Sequence, residues 1–234
     1  MFEKIEVKDK HLFLTPNKFD KKLPLLIMSH GSGGISDIDI DFAMIACGRD
    51  YQVAIIDHFT HRNVKHQIWN DLDNFHPNFE DRVQDIIEIS NLYNTDRKLL
   101  FGVSAGGTSV IKTSSKFEKT FCVYPALASI TEDMLAGKNI TIVTGKDDDW
   151  TPVEQAFNFQ KHVECDLITL PGYHAFLNPR ENRYLPDVIS LRNVSLPVPH
   201  NGNITNISYE KGVRLQYNPY SRKDTESLFW DWLS

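Results

Sequence analysis

KLLFGVSAGG, residues 98–107, carries the strongest structural signal in the chain. An apolar run leads directly into the pattern Gly-x-Ser-x-Gly, which is centred on Ser104 and followed by further small residues. A sharp turn between a buried strand and a helix exposes the hydroxyl of such a serine at the end of a sheet. The five-residue pattern is weak alone, and a tight turn without chemistry is the alternative interpretation. In this strand–turn–helix context the pattern predicts that Ser104 is a nucleophile.

Short apolar runs alternate with amphipathic stretches along the rest of the chain, which predicts an α/β architecture. Residues 58–76 predict a long, lid-like loop, and residues 179–218 predict loops around short strands. The predicted strands are 4–8, 11–15, 23–29, 52–56, 98–103, 120–124, 140–144 and 166–170. The predicted helices are 38–47, 77–93, 104–114, 152–162 and 225–233.

Length and composition predict one domain spanning residues 1–234 of an ordinary globular chain with a net charge of −6. The acidic balance argues against a nucleic-acid-binding surface. No apolar run approaches the roughly 18 residues of a membrane span, and no secretory signal is visible. Cys47, Cys122 and Cys165 have no metal-ligand spacing and predict buried free thiols, so a cytoplasmic location is expected. Composition leaves the oligomeric state open.

A serine nucleophile needs a base to remove its proton, and His174 is the best candidate for that base. His174 lies in PGYHAF, residues 171–176, just after the last apolar run, at the sheet edge that also holds Ser104. His162 falls in a predicted helix, and His200 falls in the irregular stretch. The sequence therefore predicts His174 as the base.

The acid is expected after the preceding strand, where GKDDDWTP spans residues 145–152. Three consecutive carboxylates leave the choice open, in the order Asp148, Asp149, Asp147. Asp148 is favoured because it lies three residues after Gly145 and four before the proline, the usual spacing of a hydrolase acid turn. It would hold the tautomer of the imidazole and stabilise the imidazolium. The other two carboxylates are expected to cap the next helix or to face water.

A glycine-rich loop, HGSGG at residues 30–34, follows the first central strand. Its backbone amides can bind a developing oxyanion together with the amide of the residue after the nucleophile. We expect the donors to be Ser32 and Ala105, with Gly31 or Gly33 as neighbours, and His30 to order the loop. A phosphate-binding loop is the rival interpretation, but no Lys-Ser/Thr follows the glycines.

Taken together, these motifs resemble the dienelactone hydrolase-like branch of the α/β hydrolases. The resemblance implies a three-layer α/β-hydrolase fold with a mostly parallel central sheet of seven to eight strands. The namesake enzymes use a cysteine nucleophile, so the resemblance implies their serine-using relatives, many of them carboxylesterases, and does not imply dienelactone as substrate. The motifs that carry it are HGSGG (30–34), DHFTHR (57–62), GVSAG (102–106), YP (124–125), GKDDDWTP (145–152), PGYHAF (171–176) and YNPY (217–220).

Loops at this edge of a sheet commonly line a pocket, which makes several bulky side chains candidates for substrate binding. Core packing is the alternative for the aromatic ones. A metal site in the histidine-rich stretch His58, His61, His66 and His76 is not predicted, because no helical His-x-x-x-His or cysteine pair supports it. The substrate-binding candidates are His58, Phe59, Tyr124, Trp150 and Phe176.

The function expected from these residues is cleavage of a small-molecule carboxylic ester through an acyl-enzyme, without a cofactor and without a nucleic-acid or membrane partner. An acyltransferase or a peptidase on the same residues is a second enzyme hypothesis. A non-catalytic binding protein that keeps the hydrolase shell is a hypothesis of another class. The presence of Ser104, Asp148 and His174 together argues against that last hypothesis.

Overall fold

The computed structural model describes residues 2–17, 20–64, 79–128, 131–192 and 210–234. Within these ranges, eight strands form one central sheet and two more form a separate two-stranded sheet. The strands are β1 (Phe2–Val7), β2 (His11–Pro16), β3 (Leu25–Ser29), β4 (Gln52–Ile56), β5 (Lys98–Val103), β6 (Thr120–Val123), β7 (Ile140–Gly145), β8 (Cys165–Leu170), β9 (Asn182–Ile189) and β10 (Lys211–Gln216).

Six α-helices are described, and the third begins directly after Ser104. The last helix begins with Asn-Pro: the side chain of Asn218 accepts hydrogen bonds from the amides of Tyr220 and Ser221, and Pro219 lies in the first turn. The helices are α1 (Asp37–Cys47), α2 (Phe79–Leu92), α3 (Ala105–Thr113), α4 (Glu132–Leu135), α5 (Val153–Gln160) and α6 (Pro219–Trp232).

The central sheet has the strand order β1-β2-β4-β3-β5-β6-β7-β8. β1 and β2 are antiparallel to their neighbours. The other six strands, β3 to β8, are parallel to one another. The carboxyl ends of parallel strands meet at one edge of a sheet, where open α/β sheets bind ligands. The loops that follow β3, β5, β6, β7 and β8 therefore converge there.

Helices cover both faces of the sheet, because successive side chains of a strand point to opposite faces. On β5, the ring of Phe101 packs against Phe42 of α1 at 4.9 Å and Phe229 of α6 at 5.1 Å, measured between centroids. Leu100 belongs to the opposite core cluster, together with Ile86 of α2. Burying each such side chain contributes about 1.5–3 kcal/mol. The expectation of a mostly parallel sheet of seven to eight strands between two helical layers is confirmed, with eight strands present.

The structure differs from the sequence prediction mainly toward the C-terminus. β9 and β10 pair antiparallel within residues 179–218, where loops around short strands were predicted but no pairing between them. The last helix begins at Pro219, six residues before the predicted start at Thr225, which was wrong because Asn218 already caps the helix there.

Other predictions meet the structure only in part. Residues 60–62 form a short 3₁₀ turn, while residues 65–78, including His66, His76 and most of the predicted loop, lie outside the described residues, as does His200. Cys47 and Cys122 are buried free thiols, but Cys165 is only half-buried because β8 is an edge strand. None of the helices in the described ranges is both long and apolar enough to cross a membrane.

Candidate active site

Ser104 occupies the turn between β5 and α3 with strained backbone angles, φ 53° and ψ −121°. Such a conformation costs a non-glycine residue of the order of 1–3 kcal/mol, so the surrounding structure has to hold it. The Ser104 amide donates to the carbonyl of Val123 on β6 at 2.9 Å. Close approach of α3 to β3 completes the turn, because a Cβ on Gly106 would lie 1.9 Å from the carbonyl oxygen of Ser29.

Three side chains form a hydrogen-bonded array that begins at this turn. The Ser104 Oγ lies 3.1 Å from Nε2 of His174, and Nδ1 of His174 lies 2.8 Å from Oδ2 of Asp148. An ionised carboxylate only accepts, so Nδ1 carries the imidazole proton and Nε2 is free to accept from the serine hydroxyl. The structure thus brings together the three residues that the sequence selected separately.

Asp148 is buried and satisfied as a carboxylate by the turn that follows it. Its Oδ1 accepts from the amides of Trp150 and Thr151 at 2.9 and 2.8 Å, and its Oδ2 accepts from the hydroxyl of Thr151 at 2.9 Å. The Thr151 Oγ1 also lies 3.1 Å from Nδ1 of His174. Sequence reasoning missed Thr151, although an Asp followed three residues later by Thr is a known signal for such a local turn.

The two neighbouring carboxylates point elsewhere. Oδ2 of Asp147 accepts from the amide of Gly172 at 3.3 Å, and Oδ1 of Asp149 accepts from the amide of Arg214 on β10 at 2.8 Å. Neither caps α5, whose N-terminal position is held by Pro152 without any side-chain bond. Of the two expected roles, capping this helix is therefore wrong, whereas Asp147 is exposed to water as the alternative predicted and Asp149 is half-buried.

A cleft of about 300 Å³ opens at Ser104 and His174. Two of the candidate substrate-binding side chains line it, and both pack against the imidazole: the ring centroids of Tyr124 and Trp150 lie 4.6 and 4.8 Å from that of His174. The β9–β10 hairpin adds Leu185 to the wall of the cleft. The sequence did not indicate this contribution, because the hairpin itself was not predicted.

Solved structures similar to this chain share its architecture. A dienelactone hydrolase-like promiscuous phosphotriesterase from metagenomic libraries aligns with a TM-score of 0.65 at 10% identity, covering 100% of this chain and 97% of the other. An alpha-beta serine hydrolase homologue from Coxiella burnetii (TM-score 0.56, 15% identity) covers 75% and 91%. A dienelactone hydrolase from Anabaena variabilis (TM-score 0.53, 16% identity) covers 74% and 85%. This chain has the α/β-hydrolase fold. No family model and no curated protein sequence matches it.

The loop after β3 and the start of α3 both lie beside Ser104. Ser32 lines the cleft, and Ala105 opens α3, where the first amides of a helix have no acceptor within the helix. A Cβ placed on Gly31 would lie 3.6 Å from Cβ of Ser104, so this loop directly adjoins the serine. Both positions that were expected to supply oxyanion donors are therefore next to Ser104.

The other three candidate substrate-binding side chains do not line the cleft. Phe176 is fully buried in the core and packs edge-on against Tyr124 at 5.2 Å. Phe59 is buried with its ring 4.6 Å from that of His30, and His58 is buried behind the loop of residues 30–34. The sequence could not separate these roles, because strand-end aromatic residues are equally suited to core and pocket.

His58 belongs to a second array, in which Ser29, His58 and Asp85 are buried and Arg62 is partly exposed. Its Nδ1 donates to Asp85 at 2.8 Å, its Nε2 lies 2.9 Å from Oγ of Ser29, and Arg62 donates to both oxygens of Asp85. Burial lowers the pKa of His58 to about 4, outweighing the opposite effect of Asp85. Burial alone would raise the pKa of Asp85, but the bonds from His58 and Arg62 lower it to about 2. In the described residues no cluster of three His, Cys, Asp or Glu side chains could hold a metal ion.

Proposed function

We propose that the protein is a serine hydrolase that cleaves carboxylic esters of small molecules. The observation that carries this proposal is the continuous array from Ser104 Oγ through His174 to Asp148, at 3.1 and 2.8 Å, anchored at a strained turn. A weak hydroxyl nucleophile becomes reactive when a correctly held base adjoins it. The dienelactone hydrolase and serine hydrolase names among the structural neighbours agree with this reading.

The reaction proceeds in two halves. Ser104 Oγ attacks the ester carbonyl carbon while Nε2 of His174 takes the hydroxyl proton, and the carbonyl electron pair moves onto oxygen. The amides of Ser32 and Ala105 bind that oxyanion. The carbon–oxygen bond to the alcohol then breaks as His174 returns the proton, leaving an acyl-serine. Water attacks the acyl-serine in the same way and releases the acid. Asp148 stabilises the imidazolium in both halves.

The cleft favours groups of modest size around the ester. Its volume is about 300 Å³, at the lower end of small-molecule pockets, and Trp150, Leu185 and Leu215 supply apolar wall. We therefore expect short acyl chains to react faster than long ones.

A fluorophosphonate probe and a series of 4-nitrophenyl esters from acetate to dodecanoate test the proposal. The folded wild-type protein should be labelled on Ser104 and should hydrolyse the short esters. Ser104→Ala should abolish both, with an unchanged unfolding midpoint. Running the same esters with added alcohol or amine separates hydrolysis from acyl transfer. Folded wild-type protein that is neither labelled nor active would contradict the proposal.

A further inference from the structure

The carbonyl groups of the loop at residues 30–34 are bound from beneath by two buried side chains. The Gly31 carbonyl accepts from Nδ1 of His30 at 2.6 Å and from Nη2 of Arg82 at 3.3 Å. The carbonyl of His30 accepts from Nη1 of Arg82 at 2.7 Å. Arg82 lies on α2 and is only 1% exposed, so it reaches the loop from inside the molecule.

This arrangement fixes the direction of one amide. In a trans peptide group, the carbonyl and the amide N–H point in opposite directions. Because the Gly31 carbonyl is held toward His30 and Arg82, the N–H of Ser32, which belongs to the same peptide group, is turned away from them. Within the described residues that N–H has no hydrogen-bond partner, and Ser32 lines the cleft.

His30 itself is held in one tautomer and one orientation. The amide of His58 donates to Nε2 of His30 at 3.3 Å, so the proton resides on Nδ1, the atom that bonds the Gly31 carbonyl. Burial, followed by the charge of Arg82, keeps the pKa of His30 well below its ordinary range and the ring neutral. The ring of Phe59 packs against His30 at 4.6 Å and lies 5.1 Å from the Arg82 guanidinium.

We infer that His30 and Arg82 are positioning residues that aim the Ser32 amide at the oxyanion. The inference rests on the proposed hydrolase function. Neither side chain lines the cleft, so neither is expected to touch substrate. Both act through the peptide group of Gly31 and Ser32. Their contribution belongs to the tetrahedral intermediate, where charge develops on the oxygen, and not to binding of the ester in its ground state.

A matched pair of substitutions isolates the hydrogen bond to the Gly31 carbonyl. His30→Asn keeps a donor close to the position of Nδ1, whereas His30→Leu has nearly the same shape as Asn and no donor. We expect His30→Leu to lower kcat by about 30-fold, which is less than the roughly 100- to 1,000-fold loss caused by removing an oxyanion donor outright. KM should stay within about twofold. His30→Asn should recover most of the lost kcat.

A transition-state readout separates positioning from simple packing. A trifluoromethyl ketone forms a tetrahedral oxyanion adduct with a serine nucleophile, whereas the product acid binds without one. Across wild type, His30→Asn and His30→Leu, the ketone inhibition constant should rise in proportion to the loss of kcat/KM, while that of the product acid stays constant. Unfolding midpoints measured in parallel report the purely structural effect of each change.

The outcomes are distinct. Wild-type protein without esterase activity overturns the proposed function itself. If wild type is active and His30→Asn and His30→Leu have the same kcat and the same ketone affinity as each other, the positioning role alone is overturned. The same conclusion follows if both variants lose kcat in proportion to a fall in their unfolding midpoints. If His30→Leu does not fold, Arg82→Lys and Arg82→Met give the same comparison, since lysine keeps one donor and methionine none.

Discussion

Thr151 makes a contact to each of the two residues, Asp148 and His174, that carry the proposed proton relay. Its hydroxyl donates to Oδ2 of Asp148, the atom that also binds the imidazole, and it lies 3.1 Å from Nδ1 of His174. We predict that Thr151→Val lowers kcat of ester hydrolysis about tenfold, equivalent to about 1.4 kcal/mol, because the carboxylate loses one of its holding bonds. Steady-state kinetics measure this, with KM expected to change little.

Thr151→Ser is the matched control, because it keeps the hydroxyl and loses only a methyl group. It should retain at least half of the wild-type kcat. Equal rates in Thr151→Val and wild type would show that the two backbone amides alone hold Asp148.

Asp39, in the first turn of α1, carries an acceptor that the fold leaves unused. Oδ2 accepts from the amide and the hydroxyl of Ser36, both at 2.8 Å, while Oδ1 is buried and has no partner among the described residues. Burial raises the pKa of this carboxyl to about 6, from an ordinary value of 3.8, although the Ser36 bonds oppose the shift. Between these two values the folded state binds more protons than the unfolded chain.

Stability contributed at Asp39 is therefore lost as the pH rises from about 4 to about 6. We predict that Asp39→Asn is more stable than wild type above pH 6, by about 3 kcal/mol, and that the difference disappears near pH 4. Urea unfolding at both pH values measures this. Asp37→Asn, an exposed change in the same turn, should shift stability by under about 0.5 kcal/mol. A pH-independent difference would contradict the assignment.

At the scale of elements, the contact of α3 with β3 is the closest backbone approach around Ser104. A methyl group on Gly106 would lie 1.9 Å from the carbonyl oxygen of Ser29, and backbone cannot yield as a flexible side chain can. We predict that Gly106→Ala prevents folding to the native state, measured as loss of the cooperative unfolding transition and of soluble yield.

Gly33→Ala is the control for this prediction, because nothing lies within 4 Å of a Cβ at that position. It should unfold within about 1 kcal/mol of wild type. A stable Gly106→Ala protein would mean that α3 can move away from β3, and the position of Ser104 should then be tested by its esterase activity.

For the whole molecule, buried neutral histidines dominate the response to acid. Burial lowers the pKa values of His11 and His58 to about 4 each, and that of His30 well below its ordinary value. The unfolded chain takes up protons at these residues below about pH 6.5, whereas the folded chain does not. Their stabilisation is therefore present above pH 6.5 and is lost as the pH falls.

We predict that the free energy of unfolding falls by at least about 3 kcal/mol between pH 7.5 and pH 5. His11 and His58 each remove about 2 kcal/mol over this interval, Asp39 returns about 1 kcal/mol, and His30, whose pKa is also lowered by burial, adds to the loss. Urea titrations at a fixed ionic strength measure the change. Stability that is level or increases toward pH 5 would show that these histidines are accessible to protonation in the folded state.

Local patterns in the sequence were sufficient to predict the strands of the sheet and the chain order of the candidate residues Ser104, Asp148 and His174. An apolar strand, a small-residue turn and a following helix depend on neighbouring residues, which is why residues 98–113 were predicted closely. The start of α6 was readable in Asn218-Pro219, whose capping signal was overlooked. The β9–β10 pairing was not readable, because it joins strands far apart in sequence.

Contacts between polar groups depend on distances across the fold, and a short segment of sequence does not reveal those distances. Ser104, Asp148 and His174 were selected because each follows a strand, and parallel strands bring their ends to one edge. The choice of Asp148 over its two neighbours was only a preference, whereas the structure gives each of the three carboxylates a different partner. Arg82 reaches the Gly31 carbonyl across 51 residues of chain. Local sequence thus determined most of the strands and indicated the proposed chemistry, and packing of α2 against the sheet decided how the loop beside Ser104 is held.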